Sequence, residues 1–108
     1  MKLGIVLQSK EPEHVWNALR LAITARKAGH DVKIFLLSEG VELENIPDAG
    51  DFDISAKIQV FTGLDGQILA CGSCLRSRSQ AGSAACSVST MADLLRLIEE
   101  SDKVLTFE

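Results

Sequence analysis

The chain has 108 residues, 46% of them hydrophobic and 24% charged, which fits one self-sufficient globular domain and excludes a disordered chain. Its net charge of −4 provides no basic face for direct binding of nucleic acid or an anionic membrane. The apolar run that follows Met1-Lys2 ends at Leu7, too short for a signal-peptide core or a membrane span, so a cytoplasmic protein is expected.

Leu3-Gly4-Ile5-Val6-Leu7 reads as a central strand, apolar on both faces. Ser9 and Glu11 are candidate N-caps, Pro12 suits a first helical turn, and Val15, Ala18, Leu19 and Ala22 share a helical face that ends at Gly29. Val32 to Leu37 completes a βαβ unit, whose crossover should be right-handed. Ser38 to Gly50, punctuated by Gly40 and Pro47, predicts a short helix or an ordered loop. Ile54, Ile58 and Phe61 lie on one face of a second helix, which Gly63 or Gly66 ends. Gln67 to Ala70 is a buried strand leading to Cys71, with the strand itself taken as Ile68 to Cys71. Ser73 to Ala84 is rich in Ser and small residues and predicts a loop carrying a single helical turn, with Gly72 to Gly82 expected to be mobile. Ala85 to Val88 predicts a short strand. Thr90 and Asp93 form a capping-box pattern ahead of a helix whose apolar stripe is Met91, Leu94, Leu95 and Ile98. Lys103 to Phe107 is the last strand. Strands alternating with helices predict a single α/β domain over residues 1–108, a three-layer α/β/α sandwich on a mainly parallel five-stranded sheet.

Cys71-Gly72-Ser73-Cys74 and the following Leu75-Arg76-Ser77-Arg78 carry the chemical signal. Cys71 sits where a strand gives way to a loop or helix, at the carboxyl edge where open α/β sheets bind ligands. Arg76 and Arg78 supply positive charge that favours a thiolate. Gln8, Ser9 and Lys10 follow the first strand and rim the same edge. The alternatives are two small buried hydrophobes for the thiols and solvated charges for the arginines. Zinc is disfavoured, because only Cys86, His14 and His30 remain as further ligands and none shows a second paired spacing. No metal or cofactor is expected. A thioredoxin-like redox pair is disfavoured by the motif's position after a late strand, with Pro12 and Pro47 the only prolines. Cys86 reads as core packing, His30 as a helix end, and Trp16 as core or interface.

The chain resembles the DsrE/DsrF-like family of small sulfur-relay proteins, which includes the TusD-type subunits of a tRNA-thiolation relay. The resemblance rests on Trp16 to Ala22, Ala28 to Leu36, Ala70 to Arg78, Ser89 to Leu94 and Ser101 to Phe107. It implies that Cys71 is the active cysteine, holding sulfane sulfur as a persulfide passed between donor and acceptor proteins. It implies a homotrimer or homohexamer as well. Cys74 is the candidate second catalytic thiol, and Arg76, Arg78, Gly72, Ser73 and Ser9 are candidate binding residues. Two other functions fit the residues: an oligomeric module binding a small anion, and a thiol–disulfide protein using Cys71 and Cys74.

Overall fold

Each of the five apolar runs forms a strand, and all are joined side by side in one direction. The computed structural model describes residues 1–108, in the order β1 (Lys2–Leu7), α1 (Pro12–Lys27), β2 (Asp31–Leu36), a 3-10 segment (Ser38–Asn45), α2 (Ile54–Gly63), β3 (Gln67–Cys71), α3 (Gly72–Ser77), β4 (Cys86–Ser89), α4 (Met91–Glu100) and β5 (Lys103–Phe107). The sheet order is β4-β3-β2-β1-β5, and every pairing is parallel. Connections step outward from β1 to β4, and the next one crosses back to place β5 on the far side of β1. Right-handed crossovers then put α1 and α2 on one face and α4 on the other.

The two faces are covered unequally. Leu3, Ile5, Leu7, Ile34, Leu36, Ile68 and Ala70 are buried, and they join the same core as Val15, Leu19, Ile54, Ile58 and Phe61 from α1 and α2. On the opposite face α4 presses directly on β1 at Gly4, where an added Cβ would lie 2.5 Å from Leu97 Cδ2. Leu97 is the buried residue of α4. The expected stripe of Met91, Leu94, Leu95 and Ile98 is therefore corrected: Leu94 is packed against the core, but Met91, Leu95 and Ile98 are exposed. The helix is apolar around more of its circumference than one sheet contact uses, so the pattern alone did not reveal which stripe faces inward.

The helix boundaries follow local chemistry. The Glu11 side chain accepts the His14 N–H at the start of α1, and Ser9 Oγ accepts the Glu11 N–H. Gly29 takes the left-handed conformation just beyond the end of α1, at φ 92°. Thr90 and Asp93 form the expected capping box. The helical turn expected within the Ser73–Ala84 loop is present and begins one residue earlier, as Gly72–Ser77. The Arg78 N–H and the Gln80 N–H both bond to Leu75 O, at 3.0 and 2.9 Å, and secure its end. Buried Leu75 supplies the apolar anchor that the Ser-rich composition concealed.

The 3-10 segment is laid across the carboxyl ends of β1 and β2 and fixes what surrounds the thiols. Leu37 N donates to Leu7 O at 3.0 Å, and Gly40 N donates to Leu37 O at 2.8 Å. Gly40 is so close to β1 that a Cβ there would fall 2.0 Å from Leu7 O. Neither partner is a flexible side chain, so the segment itself must lift. Gly40→Ala is expected to cost about 2–3 kcal/mol, the upper part of the usual range for overpacking, as read by urea denaturation; a loss below about 0.5 kcal/mol, the scatter of ordinary surface changes, would contradict this seating.

Candidate functional site at the carboxyl edge of the sheet

Cys71 is the last residue of β3, paired with Ser89 of β4, and at the same time the N-cap of α3. No residue separates strand from helix. The C-x-x-C spacing then brings Cys74 one turn along, over the end of β2, where its sulfur accepts the Ser38 N–H at 3.2 Å. Cys71 is 3% exposed. Cys74 is half-buried, and all three cysteines are free thiols.

The two thiols of the motif are biased in opposite directions. Burial pushes the Cys71 thiol up, but the Cys74 N–H, the Cys74 thiol, the Ser73 N–H and the Arg76 guanidinium outweigh it and hold the group below its ordinary value of 9.0. The Cys71 side chain makes no full capping hydrogen bond in its thiol form. These donors therefore act as a surrounding field that favours the anion. Cys74 is pushed up by burial and by the neighbouring Cys71, with the Ser38 N–H and Arg78 opposing. A pair built this way separates a thiolate at one position from a proton-holding thiol at the other.

The arginines divide between two tasks. Arg76 folds back over the start of its own helix: Nη2 reaches Ser73 Oγ at 3.3 Å, and a Cβ on Gly72 would lie 3.3 Å from Nη1. Gly72 and Ser73 thus shape the path of the guanidinium that favours the Cys71 thiolate. Arg78 is engaged elsewhere. Its Nε meets Glu42 Oε2 at 3.2 Å, and its Nη1 donates to Cys74 O at 3.2 Å. Ser9 is buried and caps the turn into α1 through Glu11. Lys10, farther along that turn, reaches Glu39 and Glu42 at 3.6 and 3.7 Å.

Sequence reasoning did not single out Ser38, Glu42 or Glu44. Glu42 and Glu44 lie in the segment whose form was left open between helix and loop, and Ser38 adopts φ 51°, a left-handed conformation that a serine does not announce. Cys86 lies apart from the pair, buried, with its thiol pushed up to about 12 by burial and by Glu44. His30 Nδ1 lies 2.7 Å from the terminal amine of Met1, far in sequence from the thiols. Trp16 is half-buried, with its Nε1 donating to Asp53 at 2.8 Å and Arg20 stacked on its ring. A cleft of about 220 Å³ opens at the amino edge of the sheet between Lys2, Arg26, Asp31 and Glu100 and contains no thiol. The thiols of the motif lie instead at the carboxyl edge.

The pH midpoint for iodoacetamide labelling is expected to be lowest at Cys71, higher at Cys74 and highest at Cys86, located by peptide mass spectrometry across pH 6 to about 10. The sign follows from the anion being the reactive form: lowering a thiol's midpoint populates the nucleophile at lower pH. A midpoint for Cys71 at or above that of Cys74 would contradict the arrangement.

The DsrE/DsrF-like family matches residues 1–107. An uncharacterized protein of Methanopyrus kandleri is 31% identical over 102 residues, covering 88% of this chain and 83% of its own length. Another from Methanocaldococcus jannaschii is 30% identical over 101 residues, with 88% of each chain covered. Among solved structures, the YchN protein from E. coli superposes with a TM-score of 0.82 at 24% identity, spanning 99% of this chain and all of that one. That likeness is one of fold.

Proposed function

The chain belongs to the DsrE/DsrF-like family, and on that premise we propose that it is a sulfur carrier, holding sulfane sulfur as a persulfide on Cys71 and passing it to a partner protein. The observation that carries this reading is the opposed bias of two thiols one turn apart, with Cys71 alone pushed below the ordinary thiol value. In loading, the Cys71 thiolate attacks the outer sulfur of a donor persulfide, forming Cys71–S–SH and returning the donor as a thiol. In transfer, an acceptor thiolate takes that outer sulfur, and Cys71 leaves as the thiolate. The low basicity that suits Cys71 as attacking anion suits it equally as leaving group. Arg76 supports both states, since each places negative charge at the same end of α3.

Incubation with a persulfide donor followed by intact-mass measurement is expected to add 32 mass units, about the mass of one sulfur, at Cys71, by the exchange chemistry of thiols. Cys71→Ser should abolish this gain with the fold retained, because a serine hydroxyl is close in size but does not ionise near neutrality. Cys74→Ser should still load. Loading confined to Cys86, or no gain of about 32 mass units at Cys71 in the Cys74→Ser variant, where no internal disulfide can form, would replace this reading with another.

The same reading includes a homotrimer or homohexamer. Exposed Met91, Leu95 and Ile98 on α4, together with Val88 at the end of β4, support it, since an apolar stripe of this kind is stabilised by contact with another surface. Light scattering at micromolar concentration is expected to give a multiple of the 11.7 kDa chain mass, and Leu95→Glu is expected to lower it. A monomer would remove this part of the proposal.

A further inference from the structure

The contacts around Cys74 are more elaborate than a carrier with one working thiol requires. Its sulfur accepts the Ser38 N–H at 3.2 Å, from a serine held in the left-handed region at φ 51°. Such a conformation in a non-glycine residue persists where surrounding contacts determine it. Beside them lies one ion pair. Arg78 spans the gap, with Nη1 on the carbonyl of Cys74 at 3.2 Å and Nε on Glu42 Oε2 at 3.2 Å. Glu42 belongs to the same 3-10 segment as Ser38. Arg78 thereby ties the element carrying the thiol to the element carrying its donor.

We propose that Glu42 is a positioning residue: by holding Arg78, it keeps the Ser38 N–H and the Arg78 guanidinium against Cys74, so that Cys74 serves as the thiol that resolves a persulfide on Cys71. This rests on the reading of Cys71 as sulfur carrier. The resolving step balances as an exchange. The Cys74 thiolate attacks the inner sulfur of Cys71–S–SH, a Cys71–Cys74 disulfide forms, the S–S bond to the outer sulfur breaks, and that sulfur leaves as HS⁻ with the bonding pair. The two protein thiols are oxidised and the sulfane sulfur is reduced to sulfide. A dithiol reductant then restores the pair.

Such a step needs Cys74 as an anion beside a second sulfur, in a place where burial and Cys71 disfavour ionisation. The Ser38 N–H and Arg78 are the groups opposing that cost; Arg78 is bonded to Glu42, and Ser38 begins the 3-10 segment to which Glu42 belongs. The charged and titratable groups that act on Cys74 are Cys71 from β3 and Arg78 from the end of α3; Glu42 meets Arg78 from the 3-10 segment, and Lys10 from the turn after β1 reaches Glu42 and Glu39 in turn. By charge and by its hold on Arg78, loss of Glu42 would act on Cys74 with opposite signs. Removing a carboxylate by charge alone makes a nearby thiol easier to ionise. Losing the tether makes it harder.

The test uses the full chain carrying Cys71→Ser and Cys86→Ser, with Cys74 as its single thiol, and reads the pH midpoint of iodoacetamide labelling, thermal unfolding confirming the fold. Glu42→Ala is expected to raise that midpoint by about half a pH unit, against the direction that charge removal alone predicts. Glu42→Asp keeps the charge but draws the carboxylate back by one methylene, and it is expected to raise the midpoint as well. A midpoint unchanged or lowered in Glu42→Ala overturns the proposal, and so does an unchanged midpoint in Glu42→Asp should the alanine variant fail to fold. With all cysteines restored and Cys71 loaded, Glu42→Asp should release sulfide more slowly than the parent; equal rates overturn the resolving role. The labelling assay involves no sulfur loading, so its failure leaves the carrier reading of Cys71 intact, and absence of loading at Cys71 overturns that reading separately.

Discussion

Strand β3 runs into helix α3 with no connecting residue, because Cys71 closes the ladder opposite Ser89 and caps the helix in the same position. That junction fixes the site with backbone rather than with side chains. The sheet sets where Cys71 stands, and the helical turn sets where Cys74 follows. Gly72 at the first helical position lies close to Ser89 O, the Arg76 guanidinium and Val88, so a side chain there would disturb the strand pairing and the nearby cation together. A site built on rigid elements holds its geometry more closely than one built on a loop.

The sheet order has a second consequence. With three connections stepping one way and one returning, a single helix, α4, serves the face opposite α1 and α2. Its fit at Gly4 is tight, but it spans only part of the five-stranded surface. Lys33 and Gln67 align with Gly4 across β1, β2 and β3, and they are the polar choices expected where no helix arrives. Phe35 on the neighbouring register row is fully buried, which shows how near this polar border lies to the core. The sparse covering also leaves Met91, Leu95 and Ile98 outside. Apolar side chains left half in water forfeit roughly 1 kcal/mol each by area, a cost that contact with another surface recovers.

Features governed by short-range chemistry were legible in the sequence. The end strand Lys103–Phe107, the Thr90–Asp93 capping box, the glycine after α1 and the placement of Cys71 at a strand end all follow from residue types over a few positions. What was not legible depended on partners distant in the chain. The start and extent of the Gly72–Ser77 helix depend on Leu75 finding the core, and the correct stripe of α4 depends on which residue meets Gly4. The role of Arg78 was the least legible. Beside Cys74 in sequence it reads as a site cation, yet the nearest carboxylate is Glu42, thirty-six positions away. Arg76 and Arg78 stand two residues apart on a helix, and residues at that spacing point in different directions, so one guanidinium remains with Cys71 and the other leaves it.

Burial of Cys71 gives the carrier reading its geometric logic. A thiol 3% exposed is a poor target for another protein's cysteine, but a persulfide extends it by one S–S bond, about 2 Å. The outer sulfur stands farther from the backbone than the inner one, which remains enclosed by the strand end and the first turn of α3. An incoming acceptor therefore meets the outer sulfur first, and attack there transfers sulfur instead of forming a mixed disulfide with the carrier. Attack on the inner sulfur is reserved for a thiol already inside the enclosure. With Cys74 in the resolving role proposed for it, the separation between transfer and discharge follows from which side of the S–S bond each thiol can approach.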